Sequence, residues 1–202
     1  MIKTPESGIG AIRPFTVHFS SPEAKDRTEI ERFIGNIFHQ AYGAEIKRFM
    51  PYLMSLRDPE GKLIAACGLR SAATERLFLE NYMDQPVEVL LSERIGSTVQ
   101  RSEIVEIGNF SVAEAGMARQ LIMAIFDQLH ATSKQWAVFT TVQVLYNALL
   151  KKNITPEILC DADKAHLPLA EQSDWGSYYE QKPQVMAIRR MERPGITRGS
   201  GE

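Results

Sequence analysis

The fold of this chain is organised around the stretch YLMSLRDPEGKLIAACGLR, residues 52–70. Two runs rich in apolar residues, 52–57 and 62–69, are separated by the four residues DPEG at 58–61. Aspartate at the first position, proline at the second and glycine at the last are the residues that β-turns favour. The stretch therefore predicts an antiparallel hairpin in the middle of the chain.

Before the hairpin, the sequence predicts one strand and one helix. Residues 15–19 alternate apolar and polar side chains, as a strand does. Ser20 or Ser21 precedes Pro22, and a serine cap followed by proline is typical of a helix start. Apolar residues then recur at helical spacing up to Ala41, which predicts a helix over 22–42.

After the hairpin, strands and helices alternate. Residues 77–79 form a short strand or extended turn, and the further predicted elements are a helix at 86–95, a central strand at 104–112, a helix at 116–132, a strand at 136–141, a helix at 142–152, and strands at 155–160 and 185–189. This order predicts an α/β fold with a mixed, mostly antiparallel central sheet and helices on both faces. We expect one domain over 15–190, a flexible N-terminus at 1–14 and a disordered tail at 191–202.

The composition narrows the classes of function. The chain has 202 residues, 44% of them hydrophobic and 24% charged, with a net charge of −2. Such a balance argues against binding nucleic acid through its phosphates. No apolar run reaches the 18 residues of a membrane span, and residues 1–10 lack the apolar core of a secretory signal, so we expect a cytoplasmic protein.

The two cysteines carry little chemical signal. Cys67 lies in an apolar run and is expected to be a small buried side chain, although a disulfide with Cys160 stays open. Two cysteines make no metal framework, and the histidines show no metal-ligand spacing, so no metal site is expected.

The predicted element order is similar to that of the GNAT acyltransferase superfamily. Within it, the hairpin at 52–70 and the segment LFLENY at 77–82 resemble acyl-homoserine-lactone (autoinducer) synthases. The strand VEIGNFSV at 105–112 is similar to their Glu-x-Ser-Arg-x-x-Val strand. Glu106 falls on the family glutamate and Val112 on the valine, whereas Asn109 replaces the arginine.

A finer resemblance links residues 30–187 to the thermostable hemolysin family. It rests on six motifs in the same order, namely AYGAE (41–45), AACG (65–68), LFLE (77–80), VEIGN (105–109), WAVFT (136–140), and WGSYY (175–179) followed by PQV (183–185). The family name implies haemolysis, whereas the relation to acyltransferases implies an enzyme. Three hypotheses therefore stay open: an acyltransferase, a membrane-active protein that interacts with lipid, and an inactive GNAT-like binding module.

The resemblance to GNAT enzymes implies where an acyl donor binds. Its pantetheine arm lies where the central strand separates from its neighbour, and a coenzyme A pyrophosphate lies at the N-terminus of the next helix. The corresponding loop, AEAGMA at 113–118, has one glycine and an acidic Glu114. We expect no permanently bound cofactor, and acyl carrier protein or coenzyme A as the acyl carrier. The predicted donor-binding residues are Phe110, Val112, Ala113, Gly116, Met117, Ala118 and Arg119. The alternative is an ordinary strand–helix turn.

Three residues are candidates for catalysis of acyl transfer to a small amine such as an amino acid. Glu106 in an apolar strand is a candidate general base, because burial raises a carboxyl pKa. Asn109 is a candidate donor to an oxyanion or to the pantetheine amide, and Tyr146 a candidate acid. Structural roles remain the alternatives. The predicted substrate-binding residues are Glu80, Tyr82, Trp175, Tyr178 and Tyr179, of which the last three form an aromatic cluster that would otherwise pack in the core or a lid.

Overall fold

The structure is a computed structural model that describes residues 14–151 and 153–190. The predicted tail at 191–202 and all but Pro14 of the predicted flexible N-terminus lie outside the described residues.

The described chain forms one seven-stranded sheet with helices on both faces, as predicted. The strands are β1 (Thr16–Ser20), β2 (Tyr52–Arg57), β3 (Leu63–Ser71), β4 (Ile104–Val112), β5 (Trp136–Thr141), β6 (Glu157–Asp161) and β7 (Gln184–Arg189). The α-helices are α1 (Arg27–Tyr42), α2 (Val87–Ile95), α3 (Ala118–Ala131), α4 (Gln143–Leu150) and the single turn α5 (Leu169–Gln172). The sheet order is β1-β2-β3-β4-β5-β7-β6.

Five of the six neighbouring strand pairs are antiparallel, and β4–β5 is the parallel pair. A parallel connection needs a crossover, and α3 supplies it between β4 and β5. The mixed, mostly antiparallel sheet is therefore confirmed.

The central hairpin is the local structure that its turn residues predict. The backbone N–H of Asp58 donates to the carbonyl of Lys62 at 3.0 Å, and the N–H of Lys62 donates to the Asp58 carboxylate at 2.8 Å. Gly61 has a φ of +84°, a conformation that glycine adopts without steric cost. Local chemistry thus fixes the β2–β3 connection.

One predicted boundary and one predicted element type are wrong. The first helix begins at Arg27 and not at Pro22, because two turns precede it and the Ser20 hydroxyl donates to the Asp26 carboxylate at 2.8 Å. Residues 78–82 form a 3-10 helix and neither a strand nor an extended turn, because the N–H groups of Phe78 and Leu79 donate to the distant Glu106 carboxylate and not to a neighbouring strand.

The two faces of the sheet pack against different helices. On one face, the core contains residues of α3 and α4 with Met54, Ile107 and Phe139 of the sheet. On the other face, α1 packs over the β2–β3 hairpin and α2 packs over β4, β5 and β7. Along β4, successive side chains alternate between these faces, so Ile107 lies on the α3 face and Glu106 on the α1–α2 face.

Candidate active site

The parallel strands β4 and β5 pair over only part of their length. The pairing joins 104–107 to 136–139, and Ile107 opposite Phe139 is its last position. Beyond it, β4 runs on to Val112 beside β3, and β5 runs on to Thr141 beside β7. Within the described residues, the edge of β4 that faces β5 therefore has no strand partner over 108–112. The sheet opens there.

A β-bulge lies at this opening. The β3–β4 register shifts between Ala66 and Gly68, and Asn109 has a φ of +52°. Asparagine tolerates this left-handed conformation better than most residues do. The Ser111 hydroxyl donates to the Asn109 carbonyl at 3.1 Å. The glycine inside this strand is a close approach as well, because a Cβ on Gly108 would lie 2.3 Å from the Met50 methyl carbon.

A cleft of about 1240 Å³ runs through the opening. Its apolar walls come from α3, α4 and the sheet, and include Ile122, Ile125, Phe126, Phe139, Leu149 and Ile188. Its polar and aromatic walls come from the α1–α2 face and include Arg70, Phe78, Tyr82, Glu106, Trp175 and Tyr179. The cleft thus joins an apolar compartment to a polar one across the sheet.

Glu106 is a buried acid on the cleft wall. Its side chain keeps 2% of its accessible surface. One carboxylate oxygen accepts the N–H of Phe78 and the other accepts the N–H of Leu79, both at 2.9 Å. Burial raises the pKa of Glu106 to about 7, against the opposing effect of these two N–H donors. Each oxygen has a second lone pair, so the carboxylate can still accept a proton.

Arg70 lies next to this acid and is not among the predicted site residues. It is the register partner of Glu106 in the antiparallel β3–β4 pair, and it lines the same cleft. Directly opposite residues point to the same face of a sheet. The signal that could have found Arg70 is the non-local register of the hairpin against the central strand.

The predicted aromatic residues come together. The hydroxyls of Tyr82 and Tyr179 form a short hydrogen bond, and the Trp175 ring lies 5.7 Å from the ring of Phe78. Tyr178 is buried against Tyr42, and its hydroxyl faces the Thr140 carbonyl at the open end of β5. Burial raises the pKa of Tyr179 to about 12, so its phenol is neutral near pH 7.

A tight connection places this cluster beside the end of α1. The N–H of Ser177 donates to the Tyr42 carbonyl at 2.8 Å, and the N–H of Glu45 donates to the Asp174 carbonyl at 2.7 Å. A Cβ on Gly176 would lie 2.0 Å from the Tyr42 carbonyl oxygen, so glycine is required there. The motifs at 41–45 and 175–179 are therefore in contact.

The predicted donor-binding residues divide between wall and rim. Phe110, Val112 and Ala118 line the cleft. Ala113, Gly116 and Arg119 are exposed and do not line the cleft, and Met117 is buried in the α3 core. The N–H groups of Ala113 and Met117 already donate to the carbonyls of Ile64 and Glu114. The start of α3 therefore offers a pyrophosphate fewer free donors than an open glycine-rich loop would.

Two of the predicted catalytic and substrate-binding residues, Tyr146 and Glu80, also lie away from the cleft. Tyr146 packs against the α3-side core, and within the described part of α4 the cleft is lined instead by its neighbours, including Leu145 and Leu149. Glu80 is engaged in the protein interior. Its carboxylate binds the Arg101 guanidinium at 2.6 and 2.9 Å and accepts the N–H groups of Leu77 and Val87. Its geometry is that of a structural ion pair.

The described residues contain neither a cluster of metal-ligand side chains nor a disulfide bond. No group of three or more histidine, cysteine or acidic side chains is placed to hold a metal ion. Cys67 and Cys160 are free thiols, the first buried and the second half-buried. No helix in the described ranges is long and apolar enough to cross a membrane.

Comparison with solved structures defines the class of fold. The acyl-homoserine-lactone synthase LasI superposes with a TM-score of 0.61 at 11% identity, over 89% of this chain and 91% of that one. TofI in a ternary complex with an inhibitor and MTA gives 0.60 at 12% identity, over 89% and 91%. FeeM, an N-acyl amino acid synthase from uncultured soil microbes, gives 0.56 at 10% identity, over 88% and 91%. The fold is therefore the GNAT-like acyltransferase fold.

Sequence comparison identifies the family within this class. The family model for thermostable hemolysin matches residues 20–193. The chain therefore belongs to the thermostable hemolysin family. Among curated proteins, no sequence matches it.

Proposed function

We propose that this protein is an N-acyltransferase that moves an acyl group from a thioester to a small amine such as an amino acid. The observation that carries the proposal is the opening between β4 and β5, with the buried Glu106 on the wall of the cleft that runs through it. A thioester carbonyl held in this opening would lie between an apolar compartment and a polar one. We expect the reaction to take place in the cytoplasm.

The open edge of β4 suits the extended arm of an acyl donor. Backbone groups of 108–112 on this edge have no strand to pair with in the described chain, and an amide-bearing pantetheine arm can bind as an added strand does. The same backbone can donate to a developing oxyanion. Asn109 lines the cleft at the bulge, which supports its predicted role as a further donor.

The apolar compartment suits a fatty acyl chain. Its walls are aliphatic and aromatic side chains, and the whole cleft, at about 1240 Å³, exceeds the roughly 300–1,000 Å³ of typical small-molecule pockets. The donor end is less suited to coenzyme A, because the 113–118 loop has one glycine, the exposed acidic Glu114, and two N–H groups that are already hydrogen-bonded. These features favour an acyl chain on acyl carrier protein at least as much as acyl-coenzyme A.

The reaction is balanced without an added reagent. The ammonium of the acceptor loses one proton to Glu106, and the free amine attacks the thioester carbonyl carbon. The C–N bond forms, the C–S bond breaks, and the second proton lost by nitrogen neutralises the leaving thiolate. With Tyr146 away from the cleft, the phenol of Tyr178, whose hydroxyl lies 3.5 Å from the Thr140 carbonyl, is a neutral donor at the open end of β5.

The direct test is an assay of pure protein with acyl carrier protein and coenzyme A thioesters of increasing chain length, against a panel of amines. We expect acceptor-dependent release of free thiol and a product mass equal to acyl plus amine. Glu106→Gln should abolish most of this release, whereas Glu60→Gln, an exposed change in the hairpin turn, should not. Full thiol release by Glu106→Gln would remove the role of this acid.

A parallel measurement addresses the membrane-active alternative. Dye-loaded lipid vesicles are mixed with the protein in the absence of thioester, and leakage is followed. We expect none. Leakage without any thiol release in the first assay would overturn the acyltransferase proposal in favour of a lipid-directed function.

A further inference from the structure

Arg70 and Glu106 present opposite charges side by side on the wall of the cleft. The two residues face each other across the β3–β4 ladder, where directly opposite Cβ atoms lie about 4.5–5.5 Å apart. Both side chains line the cleft on its α1–α2 side. The guanidinium contributes to the electrostatic field at Glu106, although the two side chains form no hydrogen bond that the described structure shows.

Most N–H donors of the Arg70 guanidinium have no hydrogen-bond acceptor in the described chain. Its Nε is buried and, within the described chain, has no hydrogen-bond acceptor; the nearest carboxylate, of Glu75, lies at 3.5 Å. One terminal nitrogen donates to the Arg76 carbonyl in a long contact of 3.4 Å. An arginine has five N–H donors, so most of those of Arg70 remain for a ligand.

Two other partly buried arginines are different. Arg27 donates to the Glu31 carboxylate at 2.7 Å and to the carbonyls of Met50 and Pro51 at 2.7 and 2.9 Å. Arg101 donates to both Glu80 oxygens and to Glu88. Arg70, by contrast, has only the carbonyl contact at 3.4 Å and an ion pair with Glu75 at 3.5 Å, in which the buried Nε makes no hydrogen bond. Because a partly desolvated cation with weakly satisfied donors is costly, this difference indicates a place that an anion fills.

We infer that Arg70 binds the carboxylate of the acceptor, so that the acceptor is an α-amino acid whose amino group faces Glu106. This inference rests on the proposed acyl transfer and assigns the substrate class to the same site. In an α-amino acid, the ammonium and the carboxylate share one carbon, which suits an acid and an arginine on adjacent strands. The planar guanidinium holds a carboxylate through two parallel hydrogen bonds. The carboxylate is unchanged by the reaction, and only the amine is acylated.

The test uses three acceptors with one side chain: leucine, leucinamide and 3-methylbutylamine, with a donor that the wild-type protein accepts. We expect kcat/KM for leucine to exceed that for the other two by roughly 10–100-fold, the range for a hydrogen bond to a charged group. Arg70→Gln should raise the KM for leucine and make kcat/KM about equal for the three acceptors, while the KM of the donor stays unchanged. Arg70→Lys should retain part of the preference for leucine, because lysine keeps the positive charge but cannot form the two parallel hydrogen bonds of a guanidinium.

Arg32→Gln, a change at an exposed position of α1, is the matched control and should keep the full preference. Equal use of leucine and 3-methylbutylamine by the wild-type protein would overturn the inference and leave acyl transfer standing. A rise in the donor KM alone in Arg70→Gln would overturn it too. Failure of every acceptor with every donor would instead overturn the proposed function. Because the acceptor series is run on the wild-type protein, a variant that does not fold leaves the test intact.

Discussion

The region around Glu80 and the cleft around Glu106 bury the same side chain in different surroundings. Glu80 and Glu106 keep 6% and 2% of their accessible surface, and each accepts two backbone N–H groups. Glu80 is in addition clamped by the Arg101 guanidinium. Glu106 has no such clamp in the described chain, and one side of it faces the cleft.

The two environments shift the pKa values of the two carboxyl groups in opposite directions. Burial raises the pKa of Glu80, but the Arg101 hydrogen bonds and the N–H groups of Val87 and Leu77 outweigh it and hold the pKa below its usual range. Burial dominates at Glu106 and raises its pKa to about 7. A carboxylate that is ionised and fully bonded stabilises a fold, whereas one poised near neutrality can exchange a proton. The difference separates Glu80, an acid bound in an ion pair, from Glu106, the acid that we propose as the general base.

The largest expected effect is on turnover in Glu106→Gln. Loss of a general base costs about 10²–10⁴-fold in rate, because the acceptor ammonium is no longer deprotonated in place. Thiol release under saturating substrates measures it, with circular dichroism to show that the variant is folded. Glu80→Gln is the matched comparison: its folded fraction should keep near-normal turnover. Equal losses of turnover per folded molecule in both variants would erase the proposed division of roles.

The second effect is on stability in Arg101→Met. It leaves Glu80 buried without its cation, which costs about 3 kcal/mol, at the low end for a broken buried pair because Arg101 is partly exposed. Urea unfolding measures the change in the free energy of unfolding. An exposed pair is the control, and Arg48→Met, which loses an ion pair with Glu171, should cost under about 1 kcal/mol. Similar losses of unfolding free energy in both variants would contradict the stabilising role of the Arg101–Glu80 ion pair.

The third effect is on the pH dependence of activity. A base with a raised pKa must lose its proton to act, so kcat/KM of the wild-type protein should fall as pH drops through about 7. The residual activity of Glu106→Gln should lack this acid limb. Rates measured from pH 5.5 to 8.5 check it, and a limb that persists in the variant would assign the titration to another group.

The fourth effect is on the pH dependence of stability, and the two acids act in opposite directions. Glu106 has a raised pKa in the folded protein, so its contribution to the free energy of unfolding is full below about pH 4.5 and is lost as pH rises to about 7. Glu80 has a lowered pKa, so its contribution is present above its unfolded pKa and is lost as pH falls. Melting temperatures from pH 4.5 to 8 should fall less steeply with pH in Glu106→Gln than in the wild-type protein; an unchanged slope would contradict the raised pKa.

The smallest effect concerns the segment that connects the two regions. Tyr82 ends the 3-10 helix held by both glutamates, and its hydroxyl bonds that of Tyr179. Tyr179→Phe should cost about 1 kcal/mol in the free energy of unfolding, the net value of one hydrogen bond. Tyr52→Phe, at a largely exposed tyrosine on β2, is the control and should cost nothing measurable. A loss as large as that of Arg101→Met would mean that the tyrosine pair, and not the ion pair, holds the segment.

The parts of the fold that sequence predicts are those with local causes. The hairpin turn, the apolar central strand and the end of α1 at Gly43 each depend on residues within a few positions of one another. The 3-10 helix at 78–82 could not be predicted in this way, because its start is held by Glu106, 27 residues further along the chain. The start of α1 differs from the prediction for a similar reason, since the Ser20 hydroxyl donates to the Asp26 carboxylate and does not cap a first turn at Pro22.

The candidate site shows the same division. The burial of Glu106 is predicted by its apolar neighbours, whereas Arg70 is identified only by strand register. On α4, Leu149 lines the cleft. At 3.6 residues per turn, Leu145 lies about 40° from Leu149 around the helix and Tyr146 about 60° away on the other side. Spacing alone therefore could not decide whether the tyrosine or the leucine would reach the cleft.

The place of β7 in the sheet has a consequence for how the protein is made. β7 is the last strand along the described chain, yet it lies between β5 and β6. During synthesis, β5 and β6 leave the ribosome before β7, so the edge of each that pairs with β7 stays unpaired until residues 184–189 are made. Unpaired strand edges can pair with other chains and aggregate. A nascent chain stopped at residue 183 should therefore be cut by protease and bound by holdase chaperones, whereas the full chain should not. Protection of the stopped chain from protease would show that the earlier strands fold without β7.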